Sequence, residues 1–209
     1  MATSSLEGPV SRYLNRRLSR PLARLLTPTP VTPNAVSFVA FAIALGALAC
    51  FGAGQAIAAG VLIQTSSVVD GVDGDLARLQ GRSSRFGAVL DAVLDRYADA
   101  AIVGGMAWYA WAHPGSSGPA PLVVGLATMT AFLMVSYSRA RFEDAGFGAL
   151  LGGASMLASR DVRLLLAAIG SALGQAYWTM VFLGSAAALV VAWRFVLAYS
   201  FSHGQRSIR

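Results

Sequence analysis

The chain has no lysine, so its net charge of +6 comes from arginine alone. It has one cysteine, Cys50, set inside an apolar run. A lone cysteine excludes an intramolecular disulfide and reads as a small packing residue. The only histidines are His113 and His203, which fall in an outer turn and in the tail, so no Cys/His set exists for zinc. Charge itself is scarce: 12% of residues are charged and 56% are hydrophobic, with a mean hydropathy of +0.59. A soluble domain carries about 25% charged residues. This composition excludes an ordinary soluble globule and points to one integral membrane domain of several helices. No nucleic-acid partner is expected; the arginines suit a cytoplasmic surface facing the anionic headgroups of membrane lipids. The opening stretch MATSSLEGPVSRYLNRR has no apolar core, so no cleaved signal peptide is expected.

The gaps between charges set the topology. No charge occurs in 25–69, 100–138 or 164–193. A membrane helix needs about 20 residues, so each of the first two gaps holds nearly two spans joined by a tight turn. Turn residues sit near the middle of both, FGAGQ at 51–55 and HPGSSGPAP at 113–121. The fold class expected is therefore an all-α integral membrane protein with six transmembrane helices in three hairpins. Their limits are near 33–53, 55–80, 85–112, 119–141, 160–176 and 178–201. The arginine clusters all fall on one side: the N-terminus, Arg78/Arg82/Arg85, Arg139/Arg141, Arg160/Arg163 and the tail with Arg206 and Arg209. The positive-inside rule puts that side, with both termini, in the cytoplasm of a multi-pass cell-membrane protein. The domains read as a basic interfacial segment at 1–32, a six-helix domain at 33–201 and a cytoplasmic tail at 202–209.

Within the first segment Arg12, Arg16, Arg20 and Arg24 recur every fourth residue, with Val10, Tyr13, Leu14, Leu18, Leu22 and Leu25 mostly opposite. That is an N-terminal amphipathic interfacial helix, and Pro21 predicts a kink or two short pieces. A disordered basic tail is the alternative. The TPTPVTPN stretch then breaks the chain, and Thr32-Pro33 makes a cap and first turn for the first span.

Six of the ten acidic residues lie in one stretch, DGVDGDLARLQGRSSRFGAVLDAVLDRYAD, as Asp70, Asp73, Asp75, Asp91, Asp95 and Asp99. On a helix Asp70, Asp73, Gly74 and Ala77 share one face, and Gly87, Asp91 and Asp95 share one face of the next. The turn LQGRSSR sets the two helices side by side, so four carboxylates converge near the inner membrane surface. Carboxylates that close repel one another and require a counter-charge. Arg78 and Arg96 supply part of it, and a divalent cation supplies more. All-oxygen ligands suit Mg²⁺, Mn²⁺ or Ca²⁺. Two other readings compete: helix-end carboxylates merely paired with arginines, and the cation pathway of a transporter or binding protein. Intramembrane acids are costly and mark function, and a pathway would distribute its acids across the membrane instead of grouping them at one end. Gly74 beside Asp73 and Gly87 one turn before Asp91 make room for a ligand or a helix backbone.

The pattern Asp70-x2-Asp73-Gly74-x2-Ala77-Arg78-x8-Gly87-x3-Asp91-x3-Asp95 resembles the signature of the CDP-alcohol phosphotransferases (CDP-alcohol phosphatidyltransferases) in every fixed position and spacing. The resemblance implies transfer of a phospho-alcohol group from a CDP-alcohol donor to a second alcohol, with release of CMP. It implies two metal ions, Mg²⁺ or Mn²⁺, held by Asp70, Asp73 and Asp91 with Asp95 beside them. It makes Asp95 the general base and places the nucleotide at Asp70, Asp73, Gly74, Ala77, Arg78 and Gly87. A homodimer is implied by the resemblance alone. Asp75 reads as a solvated neighbour, as a cytidine contact, or as a support for a side chain that meets the substrate. Asp99 reads as a support for the site or a partner of Arg96.

Arg139, Arg160 and Arg194 resemble, in placement, the acceptor-phosphate residues of the phosphatidylinositol-phosphate synthase branch. The flanks SRYLNRR…TPN and ASRDVRL look more like the di-myo-inositol-phosphate-phosphate synthase branch, which often has a cytidylyltransferase domain in front; none is expected in these residues. Both branches imply a phosphorylated polyol, inositol phosphate, as acceptor. The donor stays open between CDP-inositol and CDP-diacylglycerol, and glycerol phosphate stays open as acceptor. Snorkelling to the headgroups is the competing reading for Arg194, and more so for Arg141 and Arg163.

Overall fold

A computed structural model of the protein describes residues 8–113, 120–151 and 159–204. Among them the chain forms seven α-helices and no strand. A π-helical turn, Ser11–Asn15, leads into α1 (Arg16–Leu26). The others are α2 (Pro33–Gly52), α3 (Ala56–Leu79), α4 (Arg85–Ala112), α5 (Ala120–Asp144), α6 (Arg160–Ala172) and α7 (Ala176–Gly204), with a 3₁₀ turn at Gly148–Leu151.

The boundaries follow from local chemistry. Thr32 caps α2 by accepting from the Ala35 N–H, with Pro33 in the first turn, as the sequence predicts. Gly54, at φ +74°, turns the chain between α2 and α3. Gly81 at φ +64° and the Ser84 side chain, which accepts from the Gly87 N–H, do the same between α3 and α4. Most of the outer turn expected at 113–121, and the tail arginines Arg206 and Arg209, lie outside the described residues.

Among the described residues three helices are long and apolar enough to cross a membrane: Pro33–Gly52, Ala120–Asp144 and Ala176–Ser202. α3 and α4 are longer than α2, but the C-terminal half of α3 carries Asp70, Asp73 and Asp75, and α4 carries Asp91, Asp95 and Asp99 from its first turns to its middle. α6 is shorter than the expected 160–176. Its 13 residues reach about 20 Å at about 1.5 Å per residue, because Gly174, at φ +70°, turns the chain into α7.

The main core joins Ala44, Ala47 and Phe51 of α2 to Ile63 of α3, Ile102 and Met106 of α4, Phe132 of α5, Leu164 of α6 and Met180 of α7. Small residues set the spacing. A Cβ on Gly60 would lie 2.6 Å from the Ala168 carbonyl oxygen, so α3 and α6 touch backbone to backbone. Large apolar side chains, among them Phe38, Ile57, Leu126, Phe182 and Leu189, stay exposed on the outside, as a lipid-facing surface requires.

The N-terminal helix docks on the bundle through a third, small-residue stripe. Its inward stripe is Asn15, Ser19 and Ala23, each buried, while Leu18, Leu22 and Leu25 are exposed along with Arg17, Arg20 and Arg24. Ala23 joins Val36, Val72 and Leu76 in a second small core. Asn15 donates to Ser67 Oγ at 3.0 Å, and Gln64 donates to Asn15 at 3.0 Å. Pro21 lies inside α1, so the irregular turn falls before Arg16 and not at the proline.

Candidate active site

The steps of three and four in the signature put the aspartates on the facing sides of α3 and α4. One carboxylate oxygen each from Asp70, Asp91 and Asp95 lies within 4.8 Å of the others. Asp73 borders the same space, and its carboxylate is engaged by the Ser37 hydroxyl of α2 and by the Gly74 N–H. Ser37 carries no charge and stands 36 residues away in sequence, so no local pattern pointed to it.

Of the two expected counter-charges, Arg96 lies 3.4 Å from Asp95, whereas Arg78 pairs with Asp75, outside the cluster. Arg160, at the start of α6, places Nη1 2.8 Å from both Asp70 and Asp95, and Nε 3.2 Å from Asp99. The contact to Asp95 Oδ1 is an ion pair without hydrogen-bond alignment: that oxygen is buried with no aligned donor among the described residues. Asp99, one turn deeper, is 1% exposed and also faces Arg96 at 3.4 Å and Arg163 at 3.5 Å. The expected pairing of Asp99 with Arg96 is therefore present, as one of three. Arg163 does not snorkel. It is buried, with its guanidinium 4.1 Å above the Phe132 ring, because it shares a face of α6 with Arg160 and that face meets Asp99.

Beside the carboxylates runs a groove of about 210 Å³. Asp73, Gly74, Ala77, Arg78, Gly87 and Asp91 all line it, together with Asn34, Ser37 and Arg82. Of the expected nucleotide positions only Asp70 is elsewhere, in a narrow space shared with Asp95 and Arg160. The two glycines differ. A Cβ on Gly87 would crowd Ser84 Oγ at 3.0 Å and Asn34 Oδ1 at 3.2 Å, so packing alone favours glycine there. A Cβ on Gly74 would meet nothing nearer than the Arg78 guanidinium at 3.6 Å. The space beside Gly74 is open toward the groove.

Of the readings for Asp75, burial rules out the solvated neighbour. Asp75 is 8% exposed, and its Oδ1 lies 2.6 Å from Arg78 Nη2. Of the other arginines, Arg194 is buried and donates to the Val135 carbonyl at 2.6 Å and to Ser138 Oγ at 2.8 Å. Arg139 pairs with Glu143 at 3.1 Å on a half-exposed surface, and Arg141 pairs with Asp144. Of the three arginines expected at an acceptor phosphate, Arg160 is the one in direct contact with the carboxylates.

The donor set suits a hard divalent cation. Oxygens at about 2.0–2.6 Å from an ion stand up to about 4–5 Å apart, matching the 4.8 Å spread of the three carboxylates. The unaligned, buried Asp95 Oδ1 is a further open ligand atom.

An apolar helical bundle with an acidic cluster and an adjoining groove at one end defines a membrane-embedded class of protein. Residues 30–195 match the CDP-alcohol phosphatidyltransferase family, and the chain belongs to it. It is 43% identical over 174 residues to a bifunctional IPC transferase and DIPP synthase of Rubrobacter xylanophilus, covering 83% of this chain. The chain spans 38% of that relative's length. It is 37% identical over 158 residues to a phosphatidylinositol phosphate synthase of Mycolicibacterium smegmatis, covering 75% of this chain and 68% of that one. Among solved structures, the phosphatidylinositol phosphate synthase of Mycobacterium tuberculosis with CDP-DAG bound superposes with a TM-score of 0.70 at 26% identity, over 86% of this chain and 92% of that one. The same enzyme in complex with manganese and citrate superposes at 0.71 and 26% identity, over 87% and 89%.

Proposed function

We propose that the chain transfers the phospho-alcohol group of a CDP-alcohol, CDP-inositol or CDP-diacylglycerol, to a hydroxyl of inositol phosphate and releases CMP. The observation that carries this reading is one groove: the four signature positions beyond the aspartates, Gly74, Ala77, Arg78 and Gly87, all line it, and Asp73 and Asp91 border it. In this reading α2 to α7 are the six spans, the site opens at the cytoplasmic membrane surface, and the enzyme works as a homodimer.

Asp70, Asp73, Asp91 and Asp95 would hold Mg²⁺ or Mn²⁺, in two sites. A cation held there supplies positive charge to the pyrophosphate and stabilises the departing CMP. Asp95 takes the proton of the acceptor hydroxyl. The new bond joins that hydroxyl oxygen to the phosphorus bearing the donor alcohol, and the bond from that phosphorus to CMP breaks. Arg78 adds its charge at the donor phosphates, and the space at Gly74 lets them approach the α3 backbone. Arg160, already against the carboxylates, would bring its fork to the acceptor phosphate, and Arg139 and Arg194 are assigned to that phosphate by the family resemblance alone.

The test is CMP release by purified protein reconstituted with Mg²⁺ or Mn²⁺. CDP-inositol and CDP-diacylglycerol are each offered with inositol phosphate and with glycerol phosphate. The proposal predicts release with inositol phosphate and one of the donors. Release with glycerol phosphate alone overturns the acceptor assignment. Binding of the cation with no CMP from any pair favours the cation-binding alternative.

A further inference from the structure

Asp75 lies inside the signature's span but at none of its fixed positions, and neither a metal-binding nor a proton-transfer role uses it. Its surroundings are specific. Oδ1 receives Arg78 Nη2 at 2.6 Å, and Oδ2 receives the Ser19 hydroxyl at 3.0 Å. Asp75 and Ser19 are both buried, at 8% and 1% exposure, whereas the Arg78 side chain is 59% exposed and lines the groove. One carboxylate therefore spans from α1, outside the six-helix domain, to the arginine beside Gly74.

We propose that Asp75 is a positioning residue for the donor: it fixes the Arg78 guanidinium in the groove and is itself fixed by Ser19 of α1. The proposal rests on the functional reading above and deepens it by tying donor affinity to the seating of the N-terminal helix. The physical reason is preorganisation. A free arginine side chain surrenders rotamer freedom when it binds a phosphate, and one already held by a buried carboxylate surrenders less. The other half of the carboxylate must also be held, or Asp75 would swing with Arg78. Ser19 does this, and it is placed by the Asn15-Ser19-Ala23 stripe against α3.

The test is CDP affinity of the Mn²⁺-loaded full chain by calorimetry, alongside KM and kcat for CMP release and the thermal unfolding midpoint. Asp75→Asn is expected to weaken CDP binding and raise donor KM about tenfold, with kcat and acceptor KM changed less than about twofold. Ser19→Ala moves the same quantities in the same direction by about two- to threefold, and keeps the test alive if Asp75→Asn does not fold. In an Arg78→Ala background Asp75→Asn should add less than about twofold, because a residue acting through another loses its effect when that other is gone. An equal loss in both backgrounds overturns the relay, as does unchanged CDP affinity in folded Asp75→Asn. Wild-type protein that binds CDP but releases no CMP overturns the functional reading alone. Wild-type protein that binds no CDP overturns both.

Discussion

Asp95→Asn is expected to lower CMP release by about 10²–10⁴-fold, the span of a lost general base, with the fold retained. Asparagine keeps the shape of the side chain but cannot accept the acceptor's proton. Arg160 would lose one of its three carboxylates and keep Asp70 and Asp99 at 2.8 and 3.2 Å. The bundle should therefore stay assembled, and the loss should appear in kcat. Single-turnover CMP release beside the unfolding midpoint separates the two effects. Near-wild-type turnover would remove Asp95 from proton transfer.

The largest effect on stability is expected at Asp99. It is 1% exposed and faces Arg96, Arg160 and Arg163 at 3.2–3.5 Å. Arg163 is itself 4% exposed at the side chain, and its Nε and Nη1 have no hydrogen-bond partner among the described residues. Removing one partner of a buried ion pair costs about 3–5 kcal/mol, since the other charge is left uncompensated. Asp99→Leu should therefore lose stability on that scale in a detergent-solubilised unfolding series. The double variant Asp99→Leu/Arg163→Met should recover part of it, because both charges leave together. An unchanged midpoint in Asp99→Leu would mean that Arg163 does not depend on this carboxylate.

How much of this was legible in the sequence depends on how local the cause is. The Thr32-Pro33 cap and the Gly54 turn are short-range effects, and they stand where the sequence put them. The convergence of Asp70, Asp91 and Asp95 also stands, but Asp73 lies outside that close group and α3 and α4 are not packed side by side as the turn suggested: both pack mainly on α2. What the sequence concealed is long-range. Arg160 reaches Asp70 across 90 residues and Ser37 reaches Asp73 across 36. Charge alone made Asp75 read as solvated and Arg163 as snorkelling, yet each is buried by partners on another helix. The N-terminal helix held a further contact that its sequence did not advertise. Its arginine and leucine periodicity drew attention to the faces it leaves exposed, while the small stripe Asn15, Ser19 and Ala23 carries the docking. That stripe of i, i+4 positions was readable, but small residues announce no partner.

On the proposed function, the carboxylate cluster carries out cation-dependent transfer in the adjoining groove. The most direct test is CMP release after exhaustive chelation, followed by stepwise return of Mg²⁺ or Mn²⁺, for wild type and Asp91→Asn. Release should vanish on chelation and return with either cation in the wild type, whereas Asp91→Asn should recover little or need far more cation. Release that survives chelation, or that Asp91→Asn regains at the wild-type cation concentration, would contradict the proposed function.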